Sequence, residues 1–364
     1  MKQKDYNNKD YNIEEEYISI EEAINNKKNG KNEKPKKKRK GLKIFLIIFG
    51  VMILCLGLFA YGYTQYLLNL IPDDVVTNPD GTTSRIDKKD IENFDGTTNV
   101  LLMGVDKRPN DDTGRTDAMM LVSIDGKTNQ IKMISFMRDL YVSIAEDNGM
   151  NRLNAAFAFG GPELLIKTIK EDFEVDIDAY AWVDFPSFVK AIDVMGGIEI
   201  DLKQEEINLL NEHMPWINKD MDKAPSDSYV TESGVQTLNG RQALAYSRIR
   251  YTSGGDFERT QRQRTVMEKV LAKTKDSNII TLNSLALEIL PLLNTNLSNG
   301  SITKLMLKSS EILNFDTSQY RVPADGLYYP DTVNGMDVIV PHMDENISSL
   351  RDFLNSKATS EPTD

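Results

Sequence analysis

Apolar residues along this chain fall into short runs with two spacings. Residues 99–105 form a continuous apolar stretch ended by Gly104 and Asp106, and 118–124 resume it after the polar loop KRPNDDTGRTD. Residues 130–136 follow the Asp125-Gly126 turn, and all three runs predict buried strands. Residues 179–184 and 197–202 predict two more. Apolar positions at helical spacing mark 163–173, 185–195, 281–293 and 302–313 as amphipathic helices. A short helix is expected at 240–246 and a charged one at 256–275. Strands and helices interleave, so the fold class expected is α/β, an α+β sandwich with a central mixed β-sheet flanked by helices.

Residues 44–63 carry no charge. At about 1.5 Å per residue they reach across a hydrocarbon core of roughly 30 Å, which predicts one N-terminal transmembrane helix. The preceding Lys34, Lys36, Lys37, Lys38, Arg39, Lys40 and Lys43 place the N-terminus in the cytoplasm and the rest of the chain outside. The run is too long and too far from the N-terminus for a cleaved signal peptide. Residues 1–43 then form a basic, disordered cytoplasmic tail, and 64–96 a juxtamembrane connector punctuated by Pro72, Pro79 and Gly81. Residues 97–355 form the extracellular domain, and 356–364 a flexible tail.

Charge changes the picture. Residues 1–43 hold 13 Lys or Arg against 8 Asp or Glu, while the remainder holds 30 against 47. A domain that acidic is no general binder of nucleic acid, and the basic run beside a membrane span suits topogenesis and anionic lipid. Within it, residues 238–264 nevertheless gather Arg241, Arg248, Arg250, Arg259, Arg262 and Arg264. Guanidinium groups match phosphate oxygens in bidentate fashion, so an anionic ligand is expected there. Arg248 and Arg250 flank Ile249 at strand-like spacing, and Arg259 and Arg262 lie three apart on a helix, so each pair is expected to share a face. The plain alternative is a solvated charged helix.

A second group of charges, Asp106, Arg115, Asp117, Arg138 and Asp139, lies at or just beyond strand ends, where open α/β sheets bind ligands. Asp106 and Asp117 form a natural seat for Mg²⁺, which takes carboxylate and substrate phosphate oxygens. The competing role is turn formation or capping.

With both groups in view the chain resembles the LytR-CpsA-Psr family of cell-wall ligases. The matching pieces are NVLLMGVDKR, GRTDAMMLVSID, ISFMRDLYV, NAAFAFGG, FVKAIDVMGGIEIDL, LNGRQALAYSRIRY and DFERTQRQR, in the family's order, covering about 97–271 and continuing to about 355. The resemblance implies a phosphotransferase that moves a glycopolymer from a polyprenyl-pyrophosphate carrier onto peptidoglycan. It implies catalytic roles for Asp106, Asp117, Arg115 and Arg138, with Asp106 and Asp117 on magnesium. Arg115, Arg138, Arg248, Arg250, Arg259, Arg262 and Gln263 would grip the pyrophosphate. Met137 stands where the family usually has proline.

The family also implies a tunnel for the prenyl tail between sheet and helices. Leu164, Leu165, Phe188, Val189, Ile192 and Leu285 are candidates for its wall and equally for an ordinary core. Hydrolysis of the pyrophosphate and non-catalytic lipid binding or regulation are the alternatives to transfer. Cys55, the single cysteine, lies within the predicted span, which excludes an intramolecular disulfide. His213 is read as part of a polar surface loop and His342 as a surface residue, which makes a zinc site improbable.

Overall fold

The computed structural model describes residues 52, 55, 57–72, 75–77, 83–91, 96–107, 114–250 and 255–356. The chain divides into Met1–Tyr61 and Gly62–Asp364. The described residues of the first unit are helical and exposed. The predicted tail 1–43, most of the predicted span 44–63 and residues 357–364 lie outside the described residues. Among the described residues no helix is long and apolar enough to cross a membrane.

The second unit begins with a helical segment through Leu68, then the hairpin β1 (Val75–Thr77) and β2 (Thr83–Arg85). There follow β3 (Thr97–Asp106), β4 (Arg115–Asp125), β5 (Gln130–Phe136), the hairpin β6 (Tyr141–Ile144) and β7 (Gly149–Arg152), α1 (Leu153–Phe173), β8 (Ala179–Asp184) and α2 (Phe185–Val194). Next are β9 (Ile198–Leu202), α3 (Gln204–Asp220), β10 (Gly234–Leu238), α4 (Gly240–Arg248), α5 (Gly255–Asp276) and α6 (Ile279–Ile289). The chain closes with β11 (Asn294–Thr295), α7 (Asn299–Ile312), β12 (Asp316–Val322), the hairpin β13 (Tyr328–Val333) and β14 (Met336–Pro341), and α8 (Met343–Asn355).

The central sheet has six strands in the order β11-β8-β3-β4-β5-β12. Pairing is antiparallel for β11/β8, β3/β4 and β4/β5 and parallel for β3/β8 and β5/β12, so the sheet is mixed as expected. All seven residues of β5 are buried, so Gln130, Lys132 and Ser135 are enclosed along with Ile131, Met133, Ile134 and Phe136: both faces are covered. On β4 the two-residue period sorts side chains cleanly. Met119 and Leu121 enter the core shared with α1 and α8, whereas Met120 and Ile124 pack on the other face with Met267 and Leu271 of α5. A further apolar cluster joins α2, β9, α3, β10, α4 and α5.

The connector is not the free tether its composition suggests. Leu68 and Ile91 are buried against Val100, Ala179, Leu297 and Ile302, and Lys88 donates to the Thr295 carbonyl at 2.8 Å. Apolar residues spaced among the polar ones dock these described segments onto the edge of the sheet.

Two helices approach unusually closely where α4 starts. Asn239 caps α4, accepting from the Gln242 backbone N–H, and the Gly240 N–H donates to Asp193 Oδ1 at 2.7 Å. A Cβ on Gly240 would lie 2.1 Å from the Val189 carbonyl oxygen, so only glycine permits this contact between α4 and α2. Gly240→Ala is therefore expected to cost about 2–4 kcal/mol by forcing the helices apart. Urea denaturation of the variant checks it, and an unchanged midpoint would refute the constraint.

Candidate active site

The site starts from a break in strand register. Gly104 pairs with Ala118, but the next pair is Val105 with Thr116, which leaves Asp117 as the extra residue of a β-bulge. Strict alternation from Met120 and Ala118 would point Thr116 at the face carrying α2 and α5. Instead Thr116 is wholly buried, and Arg115, Asp117 and Ala118 all line one cavity on that face. Asp106, opposite Arg115 at the end of β3, completes the edge. Gly114, with φ +68°, brings β4 back tightly: a Cβ there would lie 2.9 Å from the Asp106 carbonyl oxygen.

Asp117 is the hub of the charges. Arg138 Nη1, just beyond β5, reaches its Oδ1 at 2.5 Å, and Arg248 Nη1, at the end of α4, reaches its Oδ2 at 3.3 Å. The same Arg248 nitrogen lies 3.9 Å from Asp106 Oδ2. Gln263 Nε2 on α5 donates to the Asp117 carbonyl at 3.4 Å. Asp139 steadies Arg138 from behind, at 3.2 Å from its Nε, and also meets Arg152 Nη1 at 3.5 Å. The Arg248 guanidinium sits 4.8 Å from the Phe185 ring centroid and 4.7 Å from that of Trp216, two aromatic faces that favour a cation and limit its motion. The His213 ring bonds the Arg248 backbone, and burial together with the Arg248 charge holds its imidazole below the usual histidine range.

Asp106, Arg115, Asp117, Arg138, Arg248, Arg250, Arg259 and Gln263 all line a single cavity of about 1000 Å³, at the upper end for small-molecule sites. Beyond the charges its walls are apolar, including Leu102, Met120, Met195, Val266 and Leu293. Among the described residues no group of three or more His, Cys, Asp or Glu is placed to hold a metal ion. The Asp106 and Asp117 pair therefore suits only a cation whose shell is completed by ligand oxygens, which is the habit of Mg²⁺ on phosphates.

Arg262 departs from expectation. Its Nε pairs with Glu206 at 2.8 Å, its Nη2 with Glu258 at 3.0 Å, and its Nη1 donates to the Ile249 carbonyl at 3.3 Å. Arg259 and Gln263 lie one helical turn apart on the cavity side, whereas position 262 is rotated about 60° from 259, toward α3. Arg241 holds Asn218 and Asp227 at 2.7 and 2.9 Å. Arg264 reaches Gln319 at 2.9 Å, and burial lowers its guanidinium to about 10, still charged at neutral pH. Arg248 and Arg250 do share the cavity, though through a helix end: Arg248 closes α4, and extended Ile249 buries its side chain between them.

Other expectations also shift. His213 is no loop residue: it lies in α3, half-buried, and lines the cavity. Pro215, inside that helix, disguises it as a break, although His213 and Trp216 at helical spacing offered the counter-signal. His342 is exposed as expected. Of the candidate tunnel residues only Phe188 and Ile192 line the cavity. Leu164 and Leu165 belong to the core behind the sheet, and Val189 and Leu285 to the cluster around α2 and α4.

The geometry separates two kinds of arginine. Arg262→Ala strands Glu206 in the interior and is expected to cost about 3–5 kcal/mol of stability. Arg250→Ala should change stability by less than about 1 kcal/mol yet weaken pyrophosphate binding. Denaturation midpoints and calorimetric titration with inorganic pyrophosphate distinguish them, and a stable Arg262→Ala would overturn the division.

Comparison with known proteins agrees with this architecture. The model of the LytR_cpsA_psr family matches residues 74–351. The polyisoprenyl-teichoic acid–peptidoglycan teichoic acid transferase TagU of Bacillus licheniformis is 32% identical over 250 residues, covering 68% of this chain and 75% of that protein. The regulatory protein MsrR of Staphylococcus aureus is 30% identical over 263 residues, covering 72% of this chain and 75% of its own. The solved structure of TagT bound to LIIa-WTA shares the mixed α/β fold at a TM-score of 0.57 and 25% identity, with 77% of this chain and 97% of that one aligned. By sequence and by fold, this chain belongs to the LytR_cpsA_psr family.

Proposed function

We propose that the chain is a membrane-anchored phosphotransferase that moves a glycopolymer from a polyprenyl-pyrophosphate carrier onto peptidoglycan, with its N-terminus cytoplasmic and its catalytic domain outside. The observation that carries this reading is one cavity with Asp106, Asp117 and six arginines at its polar part and apolar walls beyond. That pairing suits an amphiphile with a charged head and a hydrocarbon tail. The transferase name of the TagU relative, and TagT bound to LIIa-WTA, support the same chemistry.

In the reaction, an acceptor hydroxyl oxygen attacks the carrier-distal phosphorus. A new P–O bond forms as the bond to the bridging oxygen breaks, and polyprenyl phosphate leaves with the electron pair. The hydroxyl proton passes to Asp117 or Asp106. Arg115, Arg138, Arg248, Arg250 and Arg259 stabilise charge on the phosphate oxygens, each contact at about 4 Å being worth roughly 4 kcal/mol at an effective dielectric near 20. Held between Phe185 and Trp216, Arg248 is oriented before substrate arrives, so little reorganisation accompanies the reaction. Asp106 and Asp117 would hold Mg²⁺, which neutralises pyrophosphate charge and favours departure of the leaving group.

Four measurements test this. Asp117→Asn, which keeps the bulge, should lower turnover about a hundred-fold or more while the protein stays folded. Turnover that survives excess EDTA would remove magnesium from the scheme. Arg248→Lys keeps the charge but loses the fork and the stacking, and should cost about ten-fold in rate. Mass spectrometry of products with and without a peptidoglycan acceptor distinguishes transfer from hydrolysis, and release of glycopolymer to water alone would replace this reading.

A further inference from the structure

We infer that the first turn of α6 docks into the surface of the lipid bilayer through Ile279 and Ile280, setting the domain against the membrane. The inference rests on reading residues 44–63 as a membrane span. The sequence IITLNSLALEI has one charge, Glu288, and a generally apolar character, yet none of its residues is buried. Ile279 and Ile280 are 78% and 75% exposed. The turn that carries them is held in shape: Asn278 accepts from the backbone N–H groups of Ile280 and Thr281, each at 3.0 Å. Two adjacent isoleucines at a capped helix end are poorly suited to water and well suited to an interface.

A second, independent contact points to the bilayer as occupant. One turn further on, Asn283 accepts a hydrogen bond of 2.5 Å from the Tyr63 hydroxyl. Tyr63 is the last residue of the predicted span, so the edge of the hydrocarbon lies beside it along the chain. Its ring stacks near that of Tyr66, at 6.1 Å between centroids, and Tyr66 is 54% exposed. Tyrosines concentrate at this depth, where an apolar ring and a polar hydroxyl are both satisfied. Ile279 and Ile280 stand four and three residues before Asn283, on the same side of the helix, so they share the level that Tyr63 sets. Lys273 and Lys275 in the last turn of α5 bring positive charge suited to anionic headgroups. A second copy of the chain is a poorer occupant, because two isoleucines fall far short of the roughly 800 Å² per partner that a stable interface buries.

The consequence reaches the cavity. Lys190 of α2 pairs with Glu288 of α6 at 2.5 Å, and Phe188, Ala191 and Ile192 of α2 line the cavity. Docking of α6 would hold that wall beside the bilayer, where a prenyl chain resides.

The full chain with Cys55→Ser and Ile280→Cys, labelled with bimane, is reconstituted into phosphatidylethanolamine and phosphatidylglycerol vesicles containing lipids brominated near the headgroup end. A second sample carries the label at Tyr329→Cys, an exposed site on β13. Quenching and a blue-shifted emission at position 280, with neither at 329, is the expected result. A chain that resists alkaline extraction but shows an unquenched label at 280 overturns the inference and leaves the anchoring reading standing. Extraction by alkaline carbonate overturns both. Equal quenching at both positions, or shielding at 280 that needs a second copy and no brominated lipid, also overturns it.

Discussion

Two guanidinium groups far apart in the chain, Arg138 and Arg248, meet on the single carboxylate of Asp117, and the arrangement of the sheet and helices serves that meeting. Like charges brought together in a partly closed cleft repel, and the cost rises as water is excluded. Asp117 offsets it by accepting from both, and Asp106 and Asp139 stand behind as further counter-charges. The repulsion between these two arginines is therefore offset before any ligand enters. A phosphate group that binds there replaces one anionic partner of the arginines with another, which lets a strongly cationic surface exist inside an acidic domain.

The arginines turned away from the cavity keep that meeting in register. Arg262 ties α5 to Glu206 at the start of α3, and Glu206 also accepts from the Lys203 backbone N–H to cap that helix. Arg241 draws α4 to the end of α3 through Asn218 and to the following loop through Asp227. Gly240 lets α4 lie directly on α2. Helices that carry Arg248, Arg259, Gln263 and the two aromatic clamps are thus pinned to one another by polar contacts whose geometry is far more demanding than that of apolar packing, and the Arg262–Glu206 pair among them is buried.

Much of this was readable in the order of residues, for identifiable reasons. Strands β3, β4 and β8 announced themselves as nearly continuous apolar runs of strand length, whereas β5 showed itself by four apolar residues in seven after the Asp125-Gly126 turn. Most helices in the second half showed their spacing. The Arg segment and the strand-end aspartates pointed to one cavity, because such charge is rarely gathered without an anion to meet. What stayed hidden depends on partners distant in the chain. Spacing alone put Arg262 with Arg259, and only the position of α3 decides which one faces the cavity. The helix bearing His213 and Trp216 was masked by Pro215 and by polar neighbours. The pairing of β5 with β12 joins segments separated by the whole helical layer, and no local pattern reports it.

The bulge at Asp117 means that the chemistry of this site is encoded in a count of residues as well as in their identities. A one-residue insertion between Thr116 and Asp117 would leave β4 able to pair with β3, with the same apolar core and the same charged residues in the chain. It would, however, exchange the two sides of the strand before that point, sending the Arg115 guanidinium toward the packed interior and Thr116 toward the cleft. Such a chain would be defective through frame rather than composition. Substitution scans, which preserve length, would never sample that failure, and tolerance to insertions along β4 should end abruptly at this residue.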